Sequence, residues 1–389
     1  MGSNNHSRRE FIRQNSLTAL GLTFLSPFSA REKDELFFIS PIDGDMLHKY
    51  DGKLLNERLQ TLVKMKAPEG SHILINKSET KFSHGVMSAI IPLTGYKNII
   101  GATNTKKHNT KKIEVYRLKN FAGKYRVSVD DAIWFLKDIH THTTSYISIF
   151  DNPFLKFLKQ LHDDYGTKVH INIFYETEGF NLSQMTDTFK SEWRGNADWL
   201  KLSFHAKAEL PDDPYIKAGY DQVKSECREV ITQIKRFAGE ELVDPVTTLH
   251  WGQVPVEVSR GLRDAGYTVQ VCDFNVDDHK PPCSYYLTVE QRRHMNKRFV
   301  WRDNKEGIIF IKSAIIIDTV KLDKIVPFLD QYAKQSRKPP YADLLVHEQY
   351  FYPEYPAYQP DYCQKVLAAV NWAKGNDYTP AFLSECLFN

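Results

Sequence analysis

Four short apolar runs in this sequence each end on an acidic residue or a histidine, and together they supply Asp130, Asp131, His205, His250 and His347. If the runs are parallel β-strands, their carboxyl ends meet at one mouth of the fold. Two carboxylates and three imidazoles can hold a divalent cation and still leave groups for proton transfer. Each feature also has a structural reading, as a hydrogen-bonded histidine or as a helix cap at the two aspartates.

An aromatic loop follows His347. Between Glu348 and Tyr358 it contains five aromatic residues and is broken by prolines. Ring faces beside polar groups suit a saccharide, so Glu348, Tyr350 and Tyr352 are candidate substrate contacts, with Trp251 beside His250. The loop has a second interpretation as rigid packing over the end of the fold. Glu348 or Glu354 could also pair with Asp130 or Asp131 as the acid and base of a glycosidase.

The elements that must position these residues alternate between strands and helices from residue 123 to residue 389. Such alternation predicts a (β/α) barrel or an open parallel sheet. One helix is well marked, because Asn152-Pro153 is a cap followed by proline and Gly166 ends the pattern. Residues 35–118 instead show short apolar runs between turn formers, which predicts a small β-sandwich. The alternative is that they extend the sheet of the barrel.

The order of these motifs resembles the polysaccharide deacetylase (NodB-homology) family of carbohydrate esterases. Its Thr-Phe-Asp-Asp motif is similar to Ser128–Asp131, its His-x-x-x-His motif to His205–Glu209, and its Leu-x-His motif to Leu345–His347. The likeness spans residues 126 to 385. It implies an α/β fold, a distorted (β/α) barrel of the polysaccharide deacetylase type. Residues 66–99 also resemble, over a short stretch, immunoglobulin-like modules found beside bacterial carbohydrate enzymes.

The resemblance also implies roles for individual residues. Asp130 would be the base, His347 the general acid, and Asp131 and His205 metal ligands. Glu209 stands where the second histidine belongs, either as an oxygen ligand or as a solvated carboxylate. His250 could supply the missing imidazole. The expected cofactor is a divalent metal, with Zn²⁺ as the first candidate. The Arg-x-Pro motif of the family has no clear match, and about 60 residues, 281–338, form an insertion.

The composition and the charge of the chain argue against several classes of protein. The 389 residues carry a net charge of only +3, which argues against a nucleic-acid partner, and contain no apolar stretch long enough to span a membrane. Five cysteines without a CxxC pair exclude a cysteine-rich zinc knuckle. Residues 1–30 have paired arginines before an apolar run and resemble a twin-arginine signal, which predicts an exported, periplasmic protein. A basic, frayed N-terminus of a cytosolic protein is the alternative.

These expectations lead to one favoured activity and two alternatives. The favoured activity is metal-dependent deacetylation of an oligo- or polysaccharide. A glycoside hydrolase that uses carboxylates on the same barrel predicts activity that survives chelation. A non-catalytic glycan-binding protein predicts binding without turnover. The residue at position 209 favours the two alternatives, whereas the retained aspartates and histidines favour the first.

Overall fold

The computed structural model describes residues 36–277, 283–334 and 339–388. The chain divides into two compact units, with the boundary between Arg117 and Leu118. The signal segment expected at residues 1–30 lies outside the described residues. No described helix has the length and hydropathy needed to cross a bilayer.

The first unit consists of two five-stranded sheets, ordered β1-β4-β8-β7 with β3 beside β4, and β2-β10-β9-β5-β6. Along β4 the side chains alternate, so that Val63 and Met65 are buried and their neighbours are exposed. Residues from both sheets share one apolar core. This arrangement is the pattern of a sandwich with one solvated face on each sheet. The strands are β1 Phe37–Ser40, β2 Met46–Leu47, β3 Gly52–Leu55, β4 Arg58–Lys66, β5 Ile73–Ile75, β6 Ser78–Glu79, β7 Lys81–Ser83, β8 Val86–Leu93, β9 Lys97–Asn104 and β10 Asn109–Arg117.

The second unit is a mixed α/β structure whose larger sheet has the order β15-β12-β11-β21-β20, with β22 beside β11. All pairings in this sheet are parallel. A second sheet has the order β16-β17-β19-β18, in which β18 is the antiparallel member. The strands are β11 Lys124–Ala132, β12 Val169–Phe174, β13 Glu176–Thr177, β14 Phe180–Asn181, β15 Leu200–Ala206, β16 Val246–Thr248, β17 Val269–Cys272, β18 Val300–Asp303, β19 Ile308–Lys312, β20 Ile315–Ile316, β21 Tyr341–His347 and β22 Thr379–Pro380.

Helices connect these strands and cover the sheets. The well-marked helix begins as its sequence indicates, because the Asn152 side chain accepts from the Leu155 N–H at 2.9 Å and Gly166 has a left-handed φ of 68°. The described helices are α1 Trp134–Thr141, α2 Pro153–Tyr165, α3 Lys190–Gly195, α4 Tyr220–Phe237, α5 Val256–Ala265, α6 Val289–Arg298, α7 Leu322–Ala333, α8 Tyr362–Gly375 and α9 Leu383–Leu387.

The two sheets of the second unit are connected at two places. On one side the His250 N–H donates to the His205 carbonyl at 3.1 Å, next to β15 and β16. On the other side β19 leads directly into β20, and the Ala314 N–H donates to the Asp343 carbonyl at 3.0 Å. The carboxyl ends of β11, β15, β16 and β21 therefore come close together. Closure into a regular barrel stays a prediction.

Candidate metal centre

Three of the predicted residues converge on one point. The structure brings together one oxygen of Asp131 and one ring nitrogen each of His205 and His250, all buried and all within 4.8 Å of one another. The Asp131 Oδ1 lies 2.9 Å from His205 Nε2 and 2.9 Å from His250 Nδ1, and these two nitrogens are 3.2 Å apart. Among the described residues, the Glu209 carboxylate is not part of this group.

Two strand irregularities place the ligands. Between Val129 and Ala132 the register of β11 against β12 shifts by one residue, and Asp131 adopts a φ of 54°. A similar shift occurs in β15 around His205, between Phe204 and Ala206. A bulge adds one residue to a strand and redirects the side chains beside it. In a regular strand, Asp130 and Asp131 would point to opposite faces. The bulge allows both aspartates to serve one centre.

Backbone carbonyls fix the orientation of both histidines. His205 Nδ1 lies 2.5 Å from the Thr248 carbonyl, and His250 Nε2 lies 3.1 Å from the Glu209 carbonyl. A carbonyl only accepts, so each of these ring nitrogens must carry a proton. In the neutral imidazoles, the other ring nitrogens then direct lone pairs at Asp131. A hydrogen bond to the far nitrogen is the usual way in which a protein orients a metal-binding histidine.

The donor set fits a divalent cation. Imidazole nitrogen and carboxylate oxygen are both ligands of Zn²⁺, and three protein ligands with one open position are typical of catalytic sites. Metal–ligand distances of about 2.0–2.1 Å in a tetrahedron put ligand atoms about 3.3 Å apart. The separations of 2.9, 2.9 and 3.2 Å are close to that value. Three such atoms this close together are stabilised by a positive charge, which a cation between them or a proton on one imidazole supplies.

Gln349 holds the second oxygen of the aspartate. Its side-chain Nε2 donates to Asp131 Oδ2 at 2.7 Å, and the residue is 1% exposed. A carboxylate accepts hydrogen bonds, so the group facing it must be the amide NH₂. This residue was not among those predicted from the sequence. The sequence feature that could have indicated Gln349 is its position two residues after His347, at the end of the same strand.

We expect Gln349→Leu to lower the affinity for a divalent metal about 10- to 100-fold, because losing an outer hydrogen bond to a ligand has effects of that size. The check is a competition titration of Zn²⁺ against a chromogenic chelator. Gln222→Leu is the matched control, since Gln222 is exposed on α4. Equal affinities of the Gln349→Leu variant and the parent would contradict the assignment.

Asp130 and His347 lie beside this group on neighbouring strands. They are register partners of β11 and β21. Burial raises the pKa of the Asp130 carboxyl to about 6, although the neighbouring His205 and His347 and the Asn172 amide oppose the shift. Asn172 Nδ2 donates to Asp130 Oδ1 at 2.7 Å. The Asp318 carboxylate contacts His347 twice, at 2.6 Å from Nδ1 and at 2.7 Å from the backbone N–H.

Asn172 and Asp318 were missed at the sequence level, although both left a signal. Asn172 is one of two polar residues in alternate positions of the buried strand β12. Asp318 ends the apolar run Ile315–Ile317, which is the pattern that identified the other strand ends.

Glu348 has a structural role in this fold. Its carboxylate accepts from the backbone N–H groups of Ile133 (2.6 Å), Trp134 (2.9 Å) and Phe135 (2.6 Å), at the first turn of α1. The Tyr352 hydroxyl also donates to it, at 2.7 Å. Burial raises the pKa of Glu348 to about 7, whereas these four donors favour the ionised form. The structure therefore places Glu348 at a helix N-terminus, where a negative charge is stabilised.

The remaining predicted substrate contacts have different surroundings. Tyr350 is 2% exposed, and its ring centroid lies 6.0 Å from that of His347. Tyr352 is half-buried and packs against Trp134, with a centroid separation of 5.3 Å. Trp251 is also half-buried, directly after His250, with centroids 6.2 Å apart. Of the four predicted substrate contacts, only Trp251 is adjacent in sequence to one of the three converging residues, namely His250.

Comparison with known proteins finds similarity to solved structures, at low sequence identity. No protein-family model matches the chain, and no curated protein matches it. Among solved structures, Sph3 of Aspergillus clavatus, determined in complex with GalNAc, is 10% identical, with a TM-score of 0.32. That match covers 64% of this chain and 98% of the other. A protein of Bacteroides fragilis, described only as a candidate alpha-galactosidase, is 10% identical, with a TM-score of 0.29, and covers 91% of this chain and 80% of its own.

Proposed function

We propose that the chain is a metal-dependent hydrolase that removes an acyl group from a saccharide. The observation that carries the proposal is the convergence of Asp131, His205 and His250, with both imidazole protons directed away to backbone carbonyls. Zn²⁺ is the proposed ion. When bound, it would polarise the acyl carbonyl and make a water molecule more acidic.

The protein groups around this centre supply the proton transfers. Asp130 is the proposed base, since its carboxylate is held by Asn172 and lies on the strand that carries Asp131. His347 is the proposed acid that protonates the leaving oxygen or nitrogen. Asp318 contacts His347 Nδ1 at 2.6 Å, which orients the ring and stabilises its protonated form. Trp251 offers a ring face for the sugar beside the reacting group.

The carboxylate-only glycosidase is less well supported. It requires a second carboxyl group that acts with Asp130 or Asp131, and the sequence candidates were Glu348 and the exposed Glu354. The Glu348 carboxylate accepts three backbone N–H groups and a tyrosine hydroxyl. A substrate oxygen would have to displace one of those donors. The metal-dependent reaction leaves this contact intact.

The experiment is a screen for acetate release from N- and O-acetylated oligosaccharides by the Zn²⁺-loaded protein, with reducing ends measured in parallel. We expect acetate without new reducing ends, and loss of the activity on chelation. New reducing ends that persist in chelator would support the glycosidase instead. Saccharide binding without either product would support a binding protein.

We expect His347→Gln to lower kcat by about 10²- to 10⁴-fold, which is the usual contribution of a positioned acid. The metal content should stay that of the parent, because His347 is outside the converging group. Acetate release measures kcat, and elemental analysis of the same sample measures the metal content. Full activity in this variant would remove His347 from the mechanism.

A further inference from the structure

One solvated sheet face of the first unit combines exposed apolar side chains with positive charge. The five strands β1, β3, β4, β7 and β8 contain no aspartate or glutamate, and they carry Lys53, Arg58, Lys64, Lys66 and Lys81. Strand register places all five cations on the side opposite the buried core. Lys53 pairs with Gln60, and Lys81 and Lys64 both pair with Ser88.

Large apolar residues lie between these cations on the same face. Leu62 and Ile90 are direct cross-strand partners and are 46% and 62% exposed. Phe37, opposite Lys66, is 59% exposed, and Leu55, opposite Arg58, is 53% exposed. We call the face formed by Phe37, Leu55, Leu62, Ile90 and the five cations the basic apolar face. A patch of this kind marks an interaction site.

We propose that the basic apolar face docks on the surface of an anionic phospholipid membrane. Lysine and arginine are attracted to anionic headgroups, while apolar side chains insert at the boundary between headgroup and acyl chain. An anionic glycan would satisfy the cations, but the C–H faces of a sugar stack on aromatic rings, whereas the cross-strand pair Leu62 and Ile90 is aliphatic. A second copy of the same face would oppose five cations with five cations, which is repulsive.

The test is co-sedimentation of the full chain with vesicles of phosphatidylglycerol mixed with phosphatidylcholine, and with vesicles of phosphatidylcholine alone. We expect binding to the anionic vesicles, which weakens as salt is added, and little binding to the neutral ones. Arg58→Gln combined with Lys64→Gln should weaken binding about 25-fold, since each cation near such a surface contributes about five-fold. Both side chains are exposed, so the variant should fold normally.

Matched control variants show whether binding depends on the basic apolar face or on positive charge anywhere on the protein surface. Lys111→Gln combined with Lys112→Gln removes the same charge from exposed positions on the other sheet and should leave binding unchanged. Leu62→Gln with Ile90→Gln should weaken binding, whereas Ile99→Gln, 59% exposed on β9, should not. The proposal is overturned if no binding occurs, if neutral vesicles bind equally, or if both lysine pairs have equal effects. Stronger binding to an acidic polysaccharide, or a dimer lost in the Leu62 variant, would also overturn it.

Discussion

Replacement of Asp131 by asparagine should abolish metal binding, while the same change at Asp130 should leave it intact. Asp131 is the carboxylate that faces both imidazole nitrogens at 2.9 Å. The amide is neutral, so the centre loses the negative charge that balances a divalent cation. We expect one divalent ion per chain in the parent and in the Asp130→Asn variant, and none in Asp131→Asn. Elemental analysis after exhaustive dialysis gives the count.

The activity of the same two variants further distinguishes the role of Asp130 from that of Asp131. Both should be inactive, but for different reasons: Asp131→Asn lacks the ion, and Asp130→Asn lacks the base. Since the two residues are adjacent in β11, any general disturbance of the strand would affect both alike. A thermal melt of each variant in chelator shows whether the fold is retained. Retention of a stoichiometric ion by Asp131→Asn would refute the proposed centre.

Truncation of Glu348 to alanine should destabilise the second unit by about 3–5 kcal/mol. The substitution leaves three N–H groups at the start of α1, those of Ile133, Trp134 and Phe135, without their acceptor, and a buried unsatisfied donor costs about 1–3 kcal/mol. It also removes a charge from the helix N-terminus, which contributes a smaller amount. Urea unfolding followed by circular dichroism measures the change in free energy.

Glu354 provides the matched control for this substitution, because it is an exposed glutamate in the same loop. Glu354→Ala should change the free energy of unfolding by less than about 0.5 kcal/mol. If Glu348→Ala were equally mild, its carboxylate would not support the helix. Its assignment as a substrate contact would then return.

Some of this centre could be read from the sequence. Asp131, His205 and His250 each end an apolar run, and parallel strands bring such ends together. The bulges at Asp131 and His205 could not be read, because a register shift depends on which strands pair. The role of Glu348 was also hidden, since its partners in α1 lie 213 to 215 residues earlier in the chain. The pattern of neighbouring residues in the sequence does not indicate a contact between residues so far apart along the chain.

The same long-range contact has a consequence for how the protein is made. The first turn of α1 follows directly after Asp131, yet its acceptor, Glu348, and the amide that holds Asp131, from Gln349, are synthesised 213 to 218 residues later. A chain stopped before position 347 lacks both, together with His347. The group of residues at the carboxyl end of β11 is therefore completed only after residue 349 has been synthesised. Premature termination would leave a product unable to assemble this centre in full.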